Sequence, residues 1–234
     1  QSLASPAERL TITSETMTSQ LDLRPGAGFA LDLSETELGT VRVESSEGWA
    51  MTLREGRLTM ARQEGQEAVY DIDFAALDLA PPGRLRAALD PAGLLPEAVE
   101  TLDHEAEMTF DRPWDLRALS DRRPQITALD LGQVNAVWGG LVFRAAGELA
   151  VDPATGIPEG ELALRAENWR EMVAMAARAG LIPPQLQPTA ESVLEVVAGL
   201  SGDPDVIDAS LRFTGRRMFL GPLPLGPAPI LRLR

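Results

Sequence analysis

Apolar and polar residues alternate with a period of two along most of this chain. The pattern is clearest from Phe143 to Arg170, where two alternating runs flank a turn-rich loop and a helix start follows. Such alternation sends apolar side chains to one face of a strand and polar ones to the other. The Asp152–Gly160 loop is too short for a parallel crossover, so residues 143–152 and 160–166 are expected to pair antiparallel. The same alternation runs through residues 10–24, read as one strand with a soft middle. It recurs in Phe29–Leu33, Val41–Val43, residues 104–110 and Ile126–Val137. In Val69–Leu79, Tyr70, Ile72 and Phe74 share a face opposite Asp71 and Asp73. Residues 49–62 read as a hairpin around Glu55-Gly56, and Val206–Arg212 with Arg217–Leu220 as another around Thr214-Gly215.

In two places the period changes to that of a helix. A short helix is expected at residues 85–89. A second is expected after Pro96, where Leu95, Ala98, Val99 and Leu102 fall at i, i+3, i+4 and i+7. Asp111 is a candidate cap for a helical turn through Pro113 and Trp114. Past Asn168, a candidate N-cap, Trp169, Met172, Val173 and Ala176 form an apolar stripe that Gly180 ends. Ile182-Pro183-Pro184 turns the chain into a helix carrying Val193, Val196, Val197 and Leu200, which Gly202 closes. Prolines at 222, 224, 227 and 229 confine the tail to a sheet edge or to polyproline II. The expected class is therefore α+β, mainly antiparallel β: a curved or strongly twisted sheet with a helical hairpin near residues 168–201, in a single domain over 1–234.

A net charge of −14 argues against nucleic acid as a partner, because phosphate contacts need clustered basic residues. All 21 basic residues are arginine, and cysteine is absent, which removes disulfides and thiolate chemistry. No apolar run is long enough to span a bilayer.

Catalytic patterns fail one by one. His104 is the sole histidine, and Met108 stands where a zinc-binding helix would place its second. Ser201 lacks the glycine spacing of a nucleophile elbow. Gly26-Ala27-Gly28 lacks the third glycine of a dinucleotide fingerprint, with Leu31 at that position. Asp71 and Asp73, and the group Asp203, Asp205 and Asp208, match no calcium-loop spacing and read as solvated faces and turns. The expectation is a protein that is not an enzyme and has no cofactor and no metal.

Several segments resemble one family in order along the chain. They are Leu10–Met17, Phe110-Asp111-Arg112-Pro113-Trp114-Asp115, Glu167–Met172, Leu200-Ser201-Gly202-Asp203-Pro204 and the tail Phe219–Pro229. Together they resemble the alphaproteobacterial proteins of domain-of-unknown-function family 2125. The resemblance implies an envelope protein on the periplasmic side of the inner membrane, membrane-anchored through a segment absent from this chain. It implies that the chain is the C-terminal portion of a longer protein, so the strand near Leu10 is expected to present an unpaired edge or to meet another chain. A fold-level analogy is to AsmA-like envelope proteins, which hold lipid in an apolar groove.

The function expected is a non-enzymatic envelope module that binds lipid or another hydrophobe on an apolar sheet face. The residues expected to line it are Ile12, Leu53, Tyr70, Ile72, Phe74, Leu149, Leu162 and Leu164, with Trp169 and Met172 from the first helix of the hairpin. The alternatives are a periplasmic interaction scaffold with a closed core and, least supported by the motifs, an enzyme of unknown type.

Overall fold

The computed structural model describes residues 2–4, 9–26, 28–120, 123–178, 185 and 187–233. Its centre is an 11-stranded sheet in which every neighbouring pair is antiparallel. From β7 (Glu55–Arg62) onward it is a meander in chain order. The succession is β8 (Val69–Leu79), β9 (Val99–Phe110), β10 (Ile126–Trp138), β11 (Leu141–Val151), β12 (Pro158–Glu167), β13 (Val206–Thr214), β14 (Arg217–Leu220) and β15 (Leu223–Pro227). On the other side of β7 lie β4 (Ala30–Leu38) and then β3 (Met17–Arg24) at the edge. A second sheet holds β1 (Ser2–Ala4), β2 (Arg9–Ser14), β5 (Val41–Ser45) and β6 (Ala50–Leu53).

Residues 143–151 and 158–166 pair antiparallel as the loop length requires, with Phe143 opposite Ala166 and Val151 opposite Pro158. The Gly215-Arg216 turn joining β13 and β14 has φ of 56° and 65°, a pair that matches the twist of the flanking strands. The proline-rich tail forms β15 at the other sheet edge, where a missing N–H costs nothing.

The structure corrects the expected course at several points. Residues 10–24 are two strands in different sheets. At the break, Glu15 N–H donates to Thr40 and Gly39 N–H donates to Thr16, so two chain segments cross between the sheets side by side. The hairpin around Glu55-Gly56 does not form: β6 pairs with β5, whereas β7 pairs with β4 and β8. Arg54 is the crossing residue, its N–H bonded to Leu77 O and its guanidinium 2.6 Å from both Asp78 and Glu55. Alternation is blind to this switch, because both halves keep the same period. The strand near Leu10 is paired on both sides, by β1 and β5; the edge strands of the large sheet are β3 and β15.

α1 (Gly83–Leu89) is the short helix expected, but none follows Pro96. The Asp90 carboxylate instead accepts the N–H groups of Leu94 and Leu95, fixing a loop that leads into β9, where ladder bonds on both sides overrule the helical spacing. The short turn α2 (Arg117–Ser120) is capped by Asp115, whose Oδ1 accepts from Arg117 N–H; Asp111 accepts from Gln125 N–H instead. The Asn168 amide donates to Gly140 O and does not cap the helix with its oxygen.

The helical hairpin consists of α3 (Trp169–Arg178) and α4 (Gln187–Ser201). Gly180 and the Ile182-Pro183-Pro184 turn lie outside the described residues. On α4 the buried line is Ala190, Leu194 and Ala198, spaced by four, while Val196 is 67% exposed. The stripe was therefore misplaced by position, because valines outweighed the alanines that allow close packing.

Candidate functional site

The ladder registers assemble one apolar face from residues far apart in sequence. From β8 to β14, Tyr70, Met108, Leu129, Leu149, Gly160, Phe213 and Met218 stand directly across from one another. The next row is Ile72, Ala106, Leu131, Gly147, Leu162, Leu211 and Leu220. The third is Phe74, His104, Val134, Ala145, Leu164 and Ala209, and the fourth Ala76, Leu102, Ala136, Phe143, Ala166 and Ile207. A bulge on β10 between Leu131 and Val134 keeps the apolar residues on this face despite the odd spacing.

The two ends of the face are covered. At the fourth row α3 and α4 close a core of Trp169, Val173, Leu194, Ala198 and Ile207. Beside it, Trp138, Leu141 and Met175 pack with Met172 and Leu95, and Trp138 Nε1 donates to Pro96 O at 2.9 Å. At the first row the tail lays Ala228 and Leu231 over Leu149, Leu162 and Phe213. The tail is tied down by Leu231 N–H to Gly156 O at 2.7 Å and Gln125 Nε2 to Leu233 O at 3.1 Å. Tyr70 is fully buried there: its hydroxyl accepts from Trp114 N–H at 3.0 Å, and Phe110 meets both rings edge-on. Burial raises the Tyr70 pKa above the ordinary phenol value. Between the covered ends Ile72, Phe74 and Val134 are half-buried, as are Leu131, Leu164 and Leu211, which pack against the core under the tail.

Six of the expected lining residues come together on this face, two to a row: Tyr70 with Leu149, Ile72 with Leu162, Phe74 with Leu164. Of the other four, Trp169 and Met172 belong to the closed packing under α3. Ile12 and Leu53 sit in the small sheet, where Ile12 faces Val43 and Leu53 faces Val41. His104 was passed over as a residue on the face, although His104, Ala106 and Met108 occupy alternate positions of one strand. Its ring stacks on Phe74 with centroids 5.6 Å apart.

The opposite face is acidic. Asp71, Glu107, Asp130, Glu148 and Glu161 are directly opposed across five adjacent strands, all exposed. Gln63 Nε2 bridges the first two carboxylates at 2.8 and 2.7 Å. Asp208 pairs with Arg165, and Asp205 with Arg170, so these aspartates are spent on ion pairs. Asp203 accepts the N–H of Asp205 in a turn. Among the described residues, no group of three or more carboxylate and imidazole side chains is placed to hold a metal ion.

Two cavities border these surfaces. One of about 370 Å³ lies by Thr18, Glu37, Arg57 and Ala75, which are cross-strand neighbours at the β3 end of the sheet. The other, about 470 Å³, is lined by Thr155, Ile230, Arg232 and Leu233 of the tail crossing. The first also takes Glu55 in its lining, so two carboxylates and the Arg57 guanidinium border it. Among the described residues no helix is long and apolar enough to cross a membrane.

The family model for an uncharacterized protein conserved in bacteria, DUF2125, matches residues 1–229. The chain belongs to the DUF2125 family. No curated protein and no solved structure matches it. Within DUF2125, then, this chain supplies an α+β architecture whose large sheet is apolar on one side and acidic on the other.

Proposed function

We propose that this DUF2125 protein is a non-enzymatic, envelope-associated module that holds a lipid or a similarly elongated hydrophobe on the apolar face of its large sheet. The observation that carries the reading is partial cover. The helices and the tail close the two ends of the face, while Ile72, Phe74 and Val134 between them stay half-buried and belong to neither core. Soluble proteins rarely leave a contiguous apolar surface open without a partner for it. Burial at about 25 cal/mol per Å² lets one acyl chain bind usefully without a charged anchor. The periplasmic side of the inner membrane is the location that fits the family resemblance.

An interaction scaffold is the second reading, favoured by the closed packing around Trp169. The two separate in a displacement assay with a fluorescent fatty acid. The lipid reading expects saturable binding that Leu164→Asp abolishes. Absence of saturable binding leaves the scaffold.

A further inference from the structure

We infer that His104 is a polar anchor in the proposed groove, and that the ligand is a long-chain amphiphile whose carbonyl, ester or carboxylate oxygen meets the imidazole part-way along the sheet. This rests on the reading of the apolar face as a hydrophobe site. In the four rows of that face, His104 is the one ionisable side chain besides Tyr70. The Tyr70 hydroxyl is already engaged by Trp114 N–H under the closed end. His104 stands in the third row, in the half-buried stretch, with Val134 and Phe74 directly opposite on the two neighbouring strands.

The two ring nitrogens differ. Nδ1 is occluded and has no hydrogen-bond partner. Nε2 is not among the enclosed, unpartnered atoms, and no hydrogen bond to it is present among the described residues. Enclosed and unpartnered, Nδ1 is unsatisfied with or without a proton, so only a proton on Nε2 gives the ring a donor that a ligand can reach. A donor standing alone on an apolar surface favours an oxygen acceptor over hydrocarbon at the same place, because a purely apolar chain would strip its water and return nothing.

Two measurements on the unaltered chain and on His104→Phe, which retains an aromatic ring beside Phe74, test this. The first is displacement of the uncharged probe N-phenyl-1-naphthylamine by oleic acid, methyl oleate and 1-octadecene. The native chain is expected to prefer the oxygenated compounds by about tenfold, an ordinary hydrogen bond's worth. His104→Phe should lose that preference and keep its affinity for 1-octadecene. A preference for oleic acid alone identifies a carboxylate, and an equal preference for both identifies a carbonyl or ester. Equal affinity of the native chain for all three overturns the anchor and leaves the hydrophobe reading standing; binding of none overturns both. The second is ¹⁵N spectroscopy of the imidazole, which needs no assignment because the chain has one histidine. A protonated Nε2 that shifts on ligand addition supports the anchor, whereas a protonated Nδ1 in the neutral ring overturns it even if the variant fails to fold.

Discussion

Gly147 stands directly opposite Leu162 across the β11–β12 pair, and the side chain it lacks has nowhere to go. Its φ is 139°, and a Cβ there would lie 2.4 Å from the Glu161 carbonyl oxygen. The backbones of β11 and β12 approach too closely at this point of the apolar face for any other residue. Gly147→Ala should therefore lower the urea midpoint clearly. Gly199→Ala, in α4 with open space around it, should leave the midpoint unchanged or raise it, since alanine is the better helix former. Equal effects would mean that the close approach is relieved cheaply.

Trp169 is 1% exposed, and its Nε1 donates to Pro204 O at 3.0 Å. It fixes α3 to the start of β13 and to α4 at once. Trp169→Ala should cost about 3–5 kcal/mol, read by chemical denaturation. An unchanged midpoint would show that the helical hairpin is not docked on the sheet.

The Asp90 carboxyl is held below its ordinary range by the N–H groups of Leu95 and Leu94. A depressed folded-state value contributes stability above the unfolded pKa, about 3.9, and that contribution disappears as pH falls through the folded value. Asp90→Asn should be less stable than the native chain near neutral pH. The difference should shrink as the pH falls below the unfolded value and the native carboxyl is itself protonated. A difference that is constant with pH would mean that the charge is not what orders the 90–95 loop.

Glu148 faces Asp130 on one side and Glu161 on the other. Like charges directly opposite one another oppose pairing. Glu148→Arg should raise the melting temperature, and the gain should fall as salt is added. A gain independent of salt would point to packing as its source.

The strands were legible because one face of each is apolar, and a period of two then has a single reading. The same rule failed at Arg54 and at Glu15-Thr16, where the chain changes sheets without changing period. It also failed after Pro96, where Leu95, Ala98, Val99 and Leu102 carry a helical spacing that two ladders of β9 overrule. The candidate site was half visible. Tyr70, Ile72 and Phe74, like Leu162 and Leu164, announce a common face within their own strands. That the two groups lie on the same side of the same sheet depends on registers four strands apart, which include a bulge. Ile12 and Leu53 alternate just as well and belong to the other sheet. His104 was hidden by its type, since a polar residue at an apolar position reads as an exception until its neighbours are known.

A groove that holds a long-chain amphiphile should carry one when the protein is purified from its own cells. Native mass spectrometry of that material, without delipidation, tests this most directly. The account predicts a bound species of acyl-chain mass at one per chain, lost when Val134→Asp puts a charge in the middle of the open rows. A chain that flies at its bare mass under conditions gentle enough to keep other lipid complexes intact, with Val134→Asp indistinguishable from native, would contradict it.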